Sequence, residues 1–204
     1  IYLDKPDLQS ERRNVIDYLT KVFPATIRPL DVRLRQAWKA AGLDPEVIRD
    51  PLQLPRLTFG TWIGGDRDGH PLVTADVTSE SLAAMRQSAI SLIQRELLAT
   101  TRMLSLSAYW IQPMPDLLRR IAERADQMGA VGRTALLRNP NEPWRQFLNL
   151  IIARLPNVSK SEPAGSAAGP SMKYARSKEL LDDLQILHKS LVAVGQASIA
   201  DYAV

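Results

Sequence analysis

Cysteine is absent from this 204-residue sequence. No disulfide, thiolate metal site or cysteine nucleophile can therefore be built from it, and the absence suits a reducing cytoplasm. Histidine occurs only at His70 and His188, too far apart in sequence to share one helix face as metal ligands. Aromatic residues make up 6% of the chain. The four tryptophans, Trp38, Trp62, Trp110 and Trp144, are scattered with no basic–aromatic interleaving, so no nucleic-acid partner is expected. No run approaches the roughly 18 apolar residues needed to span a bilayer. No basic region followed by an apolar core opens the sequence, so neither a membrane partner nor a secretory leader is expected. Charge is nearly balanced, with 26 Lys+Arg against 22 Asp+Glu; such an excess permits a phosphate-bearing partner without arguing for one. What is present, 45% hydrophobic and 24% charged residues, is the composition of a globular chain. The stretch opens at Ile1 with no initiator methionine and reads as a piece of a longer protein.

Apolar periodicity predicts helices along most of this length. Leu8, Val15, Ile16, Leu19 and Val22 recur at three- and four-residue spacing over Asp7–Val22, with Pro24 and Pro29 expected to end that helix. A second helix is expected from Leu30 to Ala41, closed by Gly42, and a short third one from an Asp44 cap with Pro45 in its first turn. The longest should start at a Thr78 or Ser79 cap and run to Leu106. Others are expected over Asp116–Met128, Trp144–Leu155 and Ser177–Val194. His188 lies beside the leucine stripe of the last of these and reads as a structural residue. Mixed charge at helical spacing, as in Asp116, Arg119, Arg120, Glu123 and Arg124, reads as a solvated face. Residues 156–173 are poor in apolar anchors, and a mobile loop is expected there.

Leu57–Ile63 is short, β-branched and aromatic, so a buried strand is expected to run into the loop Gly64-Gly65-Asp66-Arg67-Asp68-Gly69-His70-Pro71. The expected fold class is thus mainly α: a single helical segment over 1–204 with one short strand. Gly64, Gly65 and Gly69 would free the backbone to adopt positive φ and approach a ligand. Arg67 offers a planar fork of donors suited to a phosphate or carboxylate, and Asp66 and Asp68 could orient it before the ligand arrives. The loop is not a P-loop, because Gly69 is followed by His70-Pro71 rather than Lys-Ser/Thr. Nor is it an EF-hand, since His70 and Val77 interrupt the ligand pattern. No serine sits in a G-x-S-x-G elbow.

The stretch Phe59-Gly60-Thr61-Trp62-Ile63-Gly64-Gly65-Asp66-Arg67-Asp68-Gly69-His70-Pro71, followed by Val73-Thr74-Ala75, resembles the signature F-G-[ST]-W-x-G-G-D-R-D-G-N-P-x-V-T of phosphoenolpyruvate carboxylase. The resemblance implies a cytoplasmic, allosteric, homotetrameric lyase that joins phosphoenolpyruvate and bicarbonate to give oxaloacetate and phosphate with Mg²⁺ or Mn²⁺. It implies a helix-rich (β/α)8 barrel in the parent enzyme, with this loop at the C-terminal mouth of the barrel. It also implies that Arg67 is the catalytic residue contacting the substrate phosphate, and that Gly64, Gly65, Asp66, Asp68, Gly69 and His70 shape the substrate-binding loop. His70 stands where the family has Asn. The family's catalytic histidine motif T-A-H-P-T-E and its metal carboxylates do not occur in this stretch, so the metal ligands and most of the machinery are expected outside it, and the segment alone is expected to be inactive. Two alternatives keep the loop without that role: a non-catalytic helical interaction module that retains it for structural reasons, and a phosphate-ester binder of other chemistry.

Overall fold

A computed structural model describes residues 7–50, 53–66, 72–156 and 172–203, with side chains placed up to Ala200. Two compact units divide it, Ile1–Leu92 and Ile93–Val204.

In the first unit, α1 (Leu8–Asp17) is capped by Asp7, whose Oδ1 accepts from the Ser10 amide at 2.7 Å. It does not end at the prolines. A five-residue π-type turn, Tyr18–Val22, passes directly into α2 (Phe23–Ala40), and Pro29 lies inside that helix. Proline was expected to break the run because it lacks an N–H. Pro24, however, is the second residue of α2 and follows directly on the π-type widening, where the register of the helical hydrogen bonds shifts. Gly42 closes the helix at φ 73°. Asp44 and Pro45 start a short 3-10 turn, Pro45–Ile48, in which Asp44 Oδ1 accepts from the Glu46 amide.

The expected strand over Leu57–Ile63 is corrected: no strand occurs among the described residues, and 55–62 run as irregular chain into a turn. A strand needs a partner for its amides and carbonyls, and none is found among the described residues. Leu57, Phe59 and Trp62 stay exposed instead of buried, with Trp62 80% exposed. Phe59 stacks on Phe23 at 4.3 Å and 9°, so its β-forming ring packs on a helix. The longest helix, α3 (Ala75–Met103), begins one turn earlier than expected. Thr74 Oγ1 accepts from the Val77 amide, while Thr78 donates back to the Thr74 carbonyl as an ordinary helical hydroxyl.

The second unit holds the larger buried core. α4 (Pro115–Leu137) bends at Gly129, whose φ of 53° and ψ of −121° only glycine takes readily. The helix expected over Asp116–Met128 therefore ends where expected, and a second helical stretch to Leu137, absent from the expectation, follows this break. The bend sets Gly132 against the backbone of Ala125, where a Cβ would lie 2.3 Å from the Ala125 carbonyl oxygen. α5 (Pro143–Arg154) supplies Trp144, Phe147, Leu148, Leu150 and Ile151, all at most 1% exposed. α6 (Ser177–Ala193) adds Leu187 and Leu191, and Trp144 Nε1 donates to Ser190 Oγ at 2.9 Å. Each such apolar side chain contributes about 1.5–3 kcal/mol of burial. A short α7 (Ala197–Ala203), absent from the sequence-based expectation, follows Gly195 at φ 78°. Of the loop expected at 156–173, residues 157–171 lie outside the described residues.

Candidate functional site

The glycine turn is built by its own backbone. Trp62 carbonyl oxygen accepts from the amides of Gly65 at 2.9 Å and Asp66 at 3.1 Å. Thr61 Oγ1 accepts from the Ile63 amide at 3.2 Å. Gly64 occupies the third position of this turn with φ 74°, the location where positive φ selects glycine. A second constraint acts on the same residue. Gly64 is buried, and a Cβ on it would meet Ser81 Oγ at 2.3 Å, Ser81 Cβ at 2.7 Å and the Val77 carbonyl at 3.3 Å. The turn is therefore seated on the first turns of α3, and only a residue without a side chain fits between them. Gly65 differs from expectation: it is exposed, does not take positive φ, and among the described residues a Cβ there would touch only the Trp62 carbonyl at an ordinary 3.7 Å. Its backbone amide, rather than conformational freedom, is its contribution to the turn.

Asp66 follows, exposed, with its amide tied to Trp62. Arg67, Asp68, Gly69 and His70 lie outside the described residues. The described part of the site is thus the turn that precedes Arg67 in the sequence. Val73, 8% exposed, anchors the chain again just before α3.

One residue at this turn was not singled out in the sequence. Arg12 of α1 places Nη1 3.4 Å from Ser81 Oγ and 3.6 Å from Glu80 Oε2, with its side chain only 21% exposed. Arg12 and Ser81 are 69 positions apart, and helical periodicity assigns Arg12 merely to a charged face, so no local signal marks it. Leu8, Arg12, Ile63, Gly64, Val77 and Ser81 help to line a partly open cavity of about 70 Å³ beside the turn.

Charge also clusters in the second unit, in a different manner. Asp183 is fully buried. Its oxygens accept from Arg124 Nε and Nη2 at 3.1 and 3.0 Å, Arg154 Nη1 at 3.2 Å and Tyr174 hydroxyl at 2.8 Å. Arg154 lies 4.3 Å from the Tyr174 ring centroid. Burial first, then the Asp183 charge and its hydrogen bond, hold the Tyr174 phenol well above its ordinary value of 10.0. Four donor contacts on one carboxylate occupy the geometry a ligand would need, so this cluster joins α4, α5 and α6 rather than forming a binding site. Arg124 thus belongs to a partly buried ion network and not only to the solvated face expected from its spacing. His188 is half-buried on α6, next to buried Leu187. An opening of about 460 Å³ is bounded in part by Thr134, Arg138, Asn149 and Lys173 and by none of the described signature residues.

Among the described residues, no group of three or more His, Asp or Glu could hold a metal ion, and no helix is long and apolar enough to cross a membrane.

Comparison with known proteins completes the site's context. The family model described as phosphoenolpyruvate carboxylase matches residues 1–204. The chain is 37% identical over 170 residues to a phosphoenolpyruvate carboxylase of Aromatoleum aromaticum, covering 78% of this chain and 18% of that protein. It is 34% identical over 195 residues to that of Azoarcus sp., covering 93% and 20%, and 34% identical over 188 residues to that of Nocardia farcinica, covering 90% and 19%. The chain spans about a fifth of the length of these curated relatives.

Proposed function

Since the chain belongs to the phosphoenolpyruvate carboxylase family, we propose that it is a segment of an enzyme that carboxylates phosphoenolpyruvate with bicarbonate, releasing oxaloacetate and phosphate. The observation that carries this reading is the match of the family model over residues 1–204, with the Gly-Gly-Asp-Arg-Asp-Gly core at 64–69. The chemistry gives the residues their roles. Phosphoryl transfer from the enol oxygen to bicarbonate yields carboxyphosphate and the enolate of pyruvate. The enolate carbon then bonds to the carboxyl carbon as phosphate leaves. Negative charge concentrates on phosphate oxygens during the first step, and a preoriented guanidinium stabilises it best where water is excluded. Arg67 is assigned that role. Gly64 seats the hinge before it, Gly65 and Asp66 close the turn through their amides, and Asp68, Gly69 and His70 complete the substrate-binding loop.

Family membership implies a divalent cation, Mg²⁺ or Mn²⁺. No group among the described residues fits one; its ligands are proposed to lie in other parts of the parent, and no step here passes through it. The parent is proposed to be a cytoplasmic, allosterically controlled homotetramer with a helix-rich (β/α)8 barrel.

Arg67→Ala in the full-length parent tests the assignment. Loss of a phosphate donor should lower turnover about 10²–10³-fold in an assay coupled to oxaloacetate. Unchanged kinetics with altered assembly would support the non-catalytic module instead. The isolated segment is expected to give no turnover in the same assay.

A further inference from the structure

We propose that Arg12 is a positioning residue for the glycine turn that precedes Arg67 in the sequence, acting on it through Ser81. The inference rests on the proposed role of that loop. Three observations carry it.

Ser81 is the surface on which Gly64 sits. The serine is 2% exposed, and a Cβ on Gly64 would fall 2.3 Å from its Oγ. Any movement of that hydroxyl is felt directly by the turn. Arg12 Nη1 donates to the same Oγ at 3.4 Å while also facing Glu80 Oε2 at 3.6 Å. One guanidinium thus engages two consecutive side chains in the first turns of α3. Finally, the packing beside the turn is not tight, with a partly open cavity of about 70 Å³ bounded in part by Leu8, Arg12, Ile63, Gly64, Val77 and Ser81. Where apolar contact leaves a void, directional polar contacts fix the geometry. The Asp7 cap, whose Oδ1 accepts from the Ser10 amide at 2.7 Å, in turn fixes the first turn of α1, directly before Arg12. A solvated surface arginine would lack both the burial and the long-range acceptor. Arg12 acts at one remove: it touches the residue that touches the hinge.

The test uses the full-length parent enzyme with Arg12→Ala, Arg12→Lys, Ser81→Ala and the Arg12→Ala/Ser81→Ala pair, and Arg67→Ala as reference. Arg12→Ala should lower kcat/KM for phosphoenolpyruvate about tenfold, the size of a sub-ångström misplacement, with the KM for bicarbonate unchanged. The melting temperature should move by no more than about 2 °C. Arg12→Lys should recover part of the loss, since a single ammonium can still reach Ser81 but not Glu80 as well. The double variant should be no worse than the poorer single one, because both changes cut the same tie. Should Arg12→Ala fail to fold, Arg12→Lys and Ser81→Ala carry the test with the same sign. Additive losses in the double variant, or equal losses toward both substrates, overturn the proposal. If Arg12→Ala stays within twofold of the parent while Arg67→Ala loses 10²-fold or more, Arg12 is not a positioning residue but the loop's role stands. A harmless Arg67→Ala sinks the reading of the loop itself.

Discussion

The two units solve the problem of placing residues in different ways. The second does it with a buried core: Trp144, Phe147, Leu148, Leu150, Leu187 and Leu191 are all fully enclosed, and a carboxylate with four donor contacts is sealed beside them. The first has no buried residue in α1, its π-type turn or α2. Its enclosed positions are few, among them Ile48, Gly64, Val73 and Ser81. Yet that unit carries the family signature. Stability and site are therefore separated along the chain. The core-rich unit tolerates little change in volume or charge, whereas the signature turn depends on backbone conformation and on a handful of steric and polar contacts.

Deleting the sealed carboxylate should break the comparison hardest. Asp183→Ala leaves Arg124 and Arg154 without their buried acceptor, and removing one partner of such a network costs about 3–5 kcal/mol. Urea unfolding of the 204-residue chain should show that loss. A change below about 1 kcal/mol would mean the charges are hydrated and the core less closed than described. Trp144→Ala should cost a similar amount, from the cavity and the orphaned Ser190 hydroxyl.

Next comes the turn. Gly64→Ala should cost about 2 kcal/mol, from φ 74° and the collision with Ser81. Ser81→Gly removes the two shortest contacts but not the strain, and glycine inside α3 itself costs up to about 1 kcal/mol. Gly64→Ala should therefore cost less when measured against Ser81→Gly alone than against the original chain, but not nothing. No cost against Ser81→Gly would show that φ is not constraining. The same cost against both would show that Ser81 is not the surface beneath the turn.

A smaller and pH-dependent effect distinguishes the units further. With its phenol held above the ordinary 10.0, native Tyr174 keeps a proton that the unfolded chain loses. Above about pH 10 the native state then binds more protons than the unfolded one, and stability falls as pH rises. Tyr174→Phe should cost about 1 kcal/mol at pH 7 through the lost hydrogen bond to Asp183. It should also flatten the decline above pH 10 in matched denaturation curves.

How much of this was legible in the sequence follows the range of the interactions. Caps and helix faces are local, so the Asp44–Pro45 start, the Gly42 stop and the leucine stripe of α6 could be read directly. The expected strand could not, because β-branched and aromatic residues state a preference while pairing requires a partner far along the chain. Phe59 instead found Phe23. Proline was overrated as a breaker because the π-type turn resets the register just before Pro24. For the site, the family signature marked Gly64 and its neighbours, and the turn itself supplies two reasons for that glycine. Arg12 was invisible, since its partner lies 69 positions away. Gly65 looked like a second hinge only because glycine's freedom can be used or left idle, and here it is idle.

The smallest expected effect is the most informative about what the first unit lacks. Trp62 is 80% exposed, with Leu57 at 52% and Phe59 at 46% nearby in sequence. In the 204-residue chain Trp62→Ser should change stability by less than about 0.5 kcal/mol, since little apolar area returns to water. The chain spans only about a fifth of its relatives' length, and so many large apolar side chains beside a family signature are expected to be covered in the parent. There the same substitution should cost about 2 kcal/mol, the value of burying a large apolar group. Equal effects in both proteins would mean that Trp62 faces water in the parent too. A loss near 2 kcal/mol in the short chain would mean that the exposed stretch packs within this segment after all.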